Sequence, residues 1–175
     1  MADKEMAVHP ILDGFHQNLS LTWINGPYFS QPESGEYRAT DCYFPVTLES
    51  VFNLGDKWML SLEGSVGYIH TGYDRISGIE IVESRGASGM GASAGLSFGH
   101  IEVPPELIVE IAAGWRGLDL VGKGNAAHSI YVQPQIELHP CGYRAFIAIG
   151  MGGSYVPEEE NAGFQMQIGG GYTFF

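Results

Sequence analysis

The sequence predicts an all-β chain: eight antiparallel strands run up and down and close into a transmembrane barrel. Three observations carry this. Segments of about a dozen residues alternate apolar with small or polar side chains. Short and long connections alternate strictly between those segments, and aromatic residues collect at both ends of the apolar faces. Period two marks a strand with two unlike faces.

Taken in order, the first segment spans residues 15–30, with Phe15, Leu19, Leu21 and Trp23 on one face and His16, Asn18, Ser20 and Thr22 on the other. In the second, 38–52, Cys42, Phe44, Val46, Leu48 and Phe52 oppose Tyr43, Thr47 and Glu49. The third, 58–70, sets Trp58, Leu60, Leu62, Val66 and Tyr68 against Ser61, Glu63 and Ser65. The fourth, 88–100, alternates Met90, Ala92, Ala94, Leu96 and Phe98 with glycines and serines. Leu107, Val109, Ile111, Ala113 and Trp115 form the apolar face of the fifth, 106–117. The sixth, 127–139, places Ile130, Val132, Ile136 and Leu138 against Tyr131, Gln133, Gln135 and Glu137. Ala145, Ile147, Ile149 and Met151 mark the seventh, 143–153. The eighth, 163–175, reads GFQMQIGGGYTFF, with Phe164, Met166, Ile168, Tyr172 and Phe174 in phase. Residues 1–14 read as a lead-in and 15–175 as one barrel domain.

The connections fix the architecture. Those at 53–57, 101–105 and 140–141 are short; those at 31–37, 71–87, 118–126 and 154–162 are longer. Short turns on one rim and long loops on the other are the layout of an up-and-down membrane barrel. Leu54-Gly55-Asp56 suits a tight hairpin, and His139-Pro140-Cys141-Gly142 suits a type I turn. Ile79-Glu80-Ile81-Val82-Glu83 alternates within the second long loop and predicts a self-paired hairpin extension above the membrane, with strand addition to a partner at an exposed edge as the weaker reading.

With its closing aromatic strand, the chain resembles the small bacterial outer-membrane β-barrels of the OmpA/OmpX-like group, although the alternation lands on Phe174 rather than Phe175. The resemblance implies periplasmic short turns, extracellular long loops and a place in the outer membrane beside lipopolysaccharide. It also implies recognition of the last strand by the outer-membrane assembly machinery, and a signal peptide already removed, since Met1-Ala2-Asp3-Lys4-Glu5 opens no leader.

Composition removes other classes. No run of 18 apolar residues exists, so no transmembrane helix is expected. A net charge of −12 with eight Lys and Arg supplies no basic footprint for nucleic acid. A soluble ligand-binding barrel is the alternative fold reading; it would turn the apolar set inward and carry Lys, Asp and charged pairs outside. The polar set here is instead Gly, Ser, Ala, Gln and Thr with single glutamates, which suits a narrow lumen.

Aromatics at the two membrane interfaces are expected to be Trp23, Phe52, Trp58, Tyr68, Trp115, Tyr143, Tyr172 and Phe174. The expected lumen network comprises Glu49, Glu63, Glu110, Glu137, Arg116, Arg144 and His16. A turn centred on Pro140-Cys141 puts Glu137 across from Arg144, a charge-assisted pair. Glu49 and Glu63 come out opposite or diagonal, and two such carboxylates share a proton or a cation, with His16 as the candidate partner.

No cofactor or metal is expected: the six histidines show no ligand spacing. Glu158-Glu159-Glu160-Asn161 reads as a solvated acidic loop, with a hard cation as the weaker reading. Gly122-Lys123-Gly124-Asn125 reads as a turn, and Cys42 and Cys141 lie too far apart for a disulfide. Lipid A deacylases resemble this fold and carry a His and a Ser two residues apart on one outward face. Here His128 is followed by Ser129 and then Ile130, so the motif fails, and no nucleophile–base set emerges along any one strand. The expected role is therefore non-enzymatic, structural or surface-interactive, through an extracellular protein partner on the long loops. A narrow ion or solute channel and a lipid-modifying enzyme are the alternatives.

Overall fold

A strand that alternates two chemistries must give each face its own environment, and closure into a barrel supplies an outside and an inside. The computed structural model describes residues 14–26, 36–77, 80–102, 107–121, 126–140, 144–157 and 160–174. Eight strands occupy them: β1 (Phe15–Gly26), β2 (Glu36–Asn53), β3 (Trp58–Ser77), β4 (Glu80–Ile101), β5 (Leu107–Val121), β6 (Ala126–Leu138), β7 (Ala145–Val156) and β8 (Asn161–Phe174). Each pairs antiparallel with the next, and β8 returns to β1, with Leu19 opposite Tyr172. The eight-stranded up-and-down barrel expected from the alternation is the fold observed.

Orientation decides what solvent the wall meets. Leu21, Val66 and Met90 point outward and are 68%, 61% and 59% exposed, whereas His16, Glu110 and Gln133 point inward and are at most 1% exposed. Trp58, Leu62 and Ile147 are likewise outside. Exposed large apolar side chains occur on every strand. A soluble monomer rarely shows an apolar patch beyond roughly 300–600 Å², so a belt around the whole wall marks a lipid-facing surface. The soluble-barrel alternative needs the reverse orientation and is overturned.

Two prolines interrupt the ladders in a regular way. Pro45 has no N–H to give β1, and the β1–β2 pairing skips from Leu21–Val46 to Ile24–Tyr43. On its other side Pro45 stays in register with Gly67. Pro134 does the same on β6: it pairs with Ile111 of β5, while the β6–β7 pairing skips from Val132–Gly153 to Gln135–Gly150. One missing donor opens one side of a strand only.

Three connections differ from expectation. Most of the anticipated loop at 71–87 is strand, because β3 and β4 pair out to Ser77 and Glu80, so the self-paired hairpin extension expected within it is present and longer than expected. A bulge places Val82 as an extra residue between the pairs Arg75–Glu83 and Ile76–Ile81. Both Ile81 and Val82 are exposed there. The long connections also shorten at 118–126 and 154–162 as β5, β6, β7 and β8 extend. In the first short turn Gly55 adopts φ +96°, a left-handed conformation that glycine takes without penalty. The Leu54 N–H donates to the Trp58 carbonyl at 2.7 Å to close that turn. Residues 1–13 and 27–30, the turn residues Cys141 and Gly142, and Phe175 lie outside the described residues.

Candidate functional site

The inward faces build three levels. At the short-turn end Val51, Met59, Ile101 and Ile108 form an apolar cluster, each 2% exposed or less. Met59, Ile101 and Ile108 are the inward residues at the short-turn ends of β3, β4 and β5, and Val51 lies one inward step from Asn53, where β2 ends. Sequence alternation places Val51 and Met59 in the polar phase, and the structure gathers them into this apolar cluster.

Above this plug lies the carboxylate level. Glu49 and Glu63 are direct partners across β2 and β3, as the sequence suggested. Asn18, the register partner of Glu49 on β1, donates its amide to Glu49 Oε2 at 2.8 Å. Thr173 in turn donates its hydroxyl to Asn18 Oδ1 at 2.8 Å, tying β8 to β1 and β2. His16 is itself fully buried, opposite Val51. Ser97 donates to Glu110 at 2.5 Å, and the Gln135 amide donates to its other oxygen. Gln133 links Gln165 and Gln167 through bonds of 2.6 and 2.7 Å. These glutamines matter because an amide carries donor and acceptor and can satisfy neighbours without charge.

Arg144 does not come out directly across from Glu137. Ala148, not Arg144, lies across from Glu137, because β7 begins at Ala145. Arg144 precedes the strand and is exposed, its carbonyl accepting the Thr173 N–H at 2.7 Å. Glu137 instead meets His139 Nε2 at 3.3 Å on its own strand end.

Arg116 occupies the level above. Its guanidinium lies 5.0 Å from the Tyr43 ring and 5.2 Å from the Tyr131 ring, and the residue is 4% exposed. Such desolvated cation–π contacts are worth about 2 kcal/mol or more each. Tyr131 also sends its hydroxyl to Glu63 Oε1 on the far side of the lumen. Room for that phenol exists because residues 95 and 114 are glycines: a Cβ at either would stand 2.5 Å from Tyr131 Oη. Tyr43 bonds Ser65 at 3.1 Å, and Ser65 bonds Ser93 at 2.6 Å. A cavity of about 40 Å³ remains, lined by Glu49, Glu63, Glu137 and Arg116 among others. That is space for a few waters and no more.

Of the expected interface aromatics, Trp23, Phe52, Trp58, Tyr68, Trp115 and Tyr172 point outward and are exposed, and Phe174 is half-buried. Tyr143 lies outside the described residues, as do Glu158, Glu159 and the segment 122–125. Trp58 stacks on Phe98 at 5.1 Å and meets His100 edge-on at 4.6 Å.

One outward cluster was not legible along any single strand. His70 and Ser88 are register partners on β3 and β4, and His70 Nδ1 lies 2.8 Å from Ser88 Oγ. The Tyr68 hydroxyl donates to the same Oγ at 2.9 Å. Eighteen residues separate the pair in sequence, and only the hairpin register brings it together. The neighbours His128 and Ser129 point to opposite faces; His128 packs on Trp115 at 5.3 Å.

No protein-family model matches this chain, and no curated protein sequence matches it. Among solved structures, Neisserial surface protein A (NspA) is similar at 11% identity over 93% of this chain and 98% of that one, with a TM-score of 0.40. Ail, the attachment invasion locus protein of Yersinia pestis, solved with the heparin analogue sucrose octasulfate, is similar at 8% identity over 91% and 99%, with a TM-score of 0.39. The translocator domain of the autotransporter NalP from Neisseria meningitidis gives 12% identity over 94% and 91%, with a TM-score of 0.27. The barrel architecture of this chain rests on its own strand pairing, and the likeness to these structures is one of fold alone.

Proposed function

We propose that this protein is an integral barrel of the bacterial outer membrane with a structural or surface-interaction role. The observation that carries the reading is the combination of a lipid-facing outer wall and an inside filled to the axis. An eight-strand barrel packed with buried side chains around a cavity of about 40 Å³ passes no large solute, which leaves the long-loop rim as the surface able to engage other molecules. By sequence, the long connections and the strand ends leading into them are acidic: Glu33, Glu36, Asp74, Glu80, Glu83, Asp119, Glu158, Glu159 and Glu160 outnumber Arg38, Arg75, Arg85 and Lys123. A sulfated polyanion of the kind solved with Ail is a poor fit to them; a cationic protein surface is a good one. Lipopolysaccharide around the wall, and assembly machinery reading β8, belong to the same proposal.

The test is surface display. Cells producing the protein should hold it in the outer-membrane fraction with loops open to added protease, and should gain binding to basic host proteins. Replacing Glu158, Glu159 and Glu160 by Gln should weaken that binding while leaving heat-modifiable gel mobility intact. Recovery in the soluble fraction would end the reading.

A narrow cation path is a second reading, favoured by the three carboxylates that line the internal cavity. Planar-bilayer conductance that falls in Glu63→Gln would support it; a silent wild type would remove it.

A further inference from the structure

The geometry points to a lipid-facing catalytic pair, Ser88 and His70, that hydrolyses acyl esters in the outer leaflet. This goes beyond the surface-interaction role and uses a different face of the barrel. The two residues sit on neighbouring strands, His70 on β3 and Ser88 on β4.

Three features make the pair a built arrangement. The imidazole is seated by the absence of a side chain at Gly86: a Cβ there would stand 2.8 Å from His70 Cε1 and 3.2 Å from Nε2. Its Nδ1 is thereby aimed at Ser88 Oγ, 2.8 Å away. The Tyr68 hydroxyl, 2.9 Å from the same oxygen, supplies a hydrogen-bond donor next to the nucleophile. Depth supplies the substrate class. Tyr68 and its partner Phe44 belong to the upper aromatic belt, and His70 and Ser88 stand one outward step above them. Aromatic belts lie at headgroup level, the depth at which glycerol-linked and sugar-linked acyl esters present their carbonyls. All three side chains are open to that layer.

The step balances without a cofactor. Ser88 Oγ bonds to the ester carbonyl carbon as its proton passes to His70 Nδ1, and the Tyr68 hydroxyl donates to the carbonyl oxygen as it gains charge. The ester C–O bond then breaks, and the leaving alcohol takes the proton from His70. Water repeats the sequence on the acyl-serine, releasing a fatty acid and restoring Ser88.

The full chain, refolded into vesicles of diacyl phosphatidylethanolamine and phosphatidylglycerol, should release fatty acid detectable by mass spectrometry. A fluorophosphonate probe should label Ser88 covalently. Ser88→Ala should abolish both, His70→Gln should lower release by about 10²–10⁴-fold, and Met151→Ala, on the outward face of β7 away from the pair, should leave both unchanged. Heat-modifiable mobility verifies that each variant is folded. Folded wild type that neither releases fatty acid nor takes the label overturns the assignment, as does release that survives Ser88→Ala. Binding of basic proteins by displaying cells is read separately, so failure of the hydrolysis leaves the surface role standing or falling on its own measurement.

Discussion

The hydroxyl of Tyr131 on β6 crosses the lumen to a carboxylate oxygen of Glu63 on β3, while the ring beneath it carries the Arg116 guanidinium. One side chain thus joins opposite walls. Tyr131→Phe keeps the ring and deletes the donor, so it should lower stability by about 1–3 kcal/mol. Urea unfolding in lipid vesicles, followed by tryptophan fluorescence, measures the loss. An unchanged midpoint would show that water replaces the phenol at no cost.

Gly95 should be coupled to that same hydroxyl. A Cβ at residue 95 meets Tyr131 Oη at 2.5 Å and Glu63 Oε1 at 2.6 Å. Gly95→Ala should cost about 1–3 kcal/mol in the native background, and distinctly less in Tyr131→Phe, where half the clash is gone. A double-mutant cycle reads the difference directly. Strict additivity would mean that the phenol does not occupy the slot.

Asn18 holds the seam between first and last strands by donating to Glu49 and accepting from Thr173. Asn18→Ala strips a buried carboxylate of its donor and a buried hydroxyl of its acceptor. The expected loss is about 1–3 kcal/mol, larger than that of Thr173→Val, which leaves the carboxylate bond in place. Comparing the two unfolding midpoints is the check.

Orientation gives the largest contrast. Leu62 and Val132 face outward midway along their strands. Either one replaced by Arg should cost about 2–4 kcal/mol in a bilayer. In a soluble barrel the same exposed substitution would fall within about 0.5 kcal/mol.

Met59, 1% exposed, anchors the lower plug. Met59→Ala should cost about 2–5 kcal/mol through the cavity it leaves. It should also admit small-ion leak in planar bilayers where the wild type stays closed. Equal, negligible conductance in both would show that the carboxylate level above seals unaided.

Facing was legible along the chain, and crossing was not. Period two told which side chains point inward on each strand, from His16 and Glu49 to Tyr131 and Thr173, because the pleat alone decides that. It gave the partnership of Glu49 with Glu63, since a short turn fixes the register of that hairpin. It did not give Tyr131 with Glu63, which depends on how far the strands shear around the closed wall. The place opposite Glu137 has a simpler explanation: the β6–β7 turn is wider than one centred on residues 140–141, so Ala148 and not Arg144 falls there. Pairing beyond residue 70 was underestimated because Thr71-Gly72 and Gly86 read as loop, whereas an antiparallel partner accepts them.

Residues 17–25 find their second neighbour in residues 166–174. The opening hairpin can zip locally, yet its free side must wait until the eighth strand has been delivered. Productive closure is therefore a late event of very long loop entropy, and assembly should be slow and all-or-none. A nascent chain arrested before residue 166 would have an unclosed flank with nothing to match it, a natural point for quality control to act.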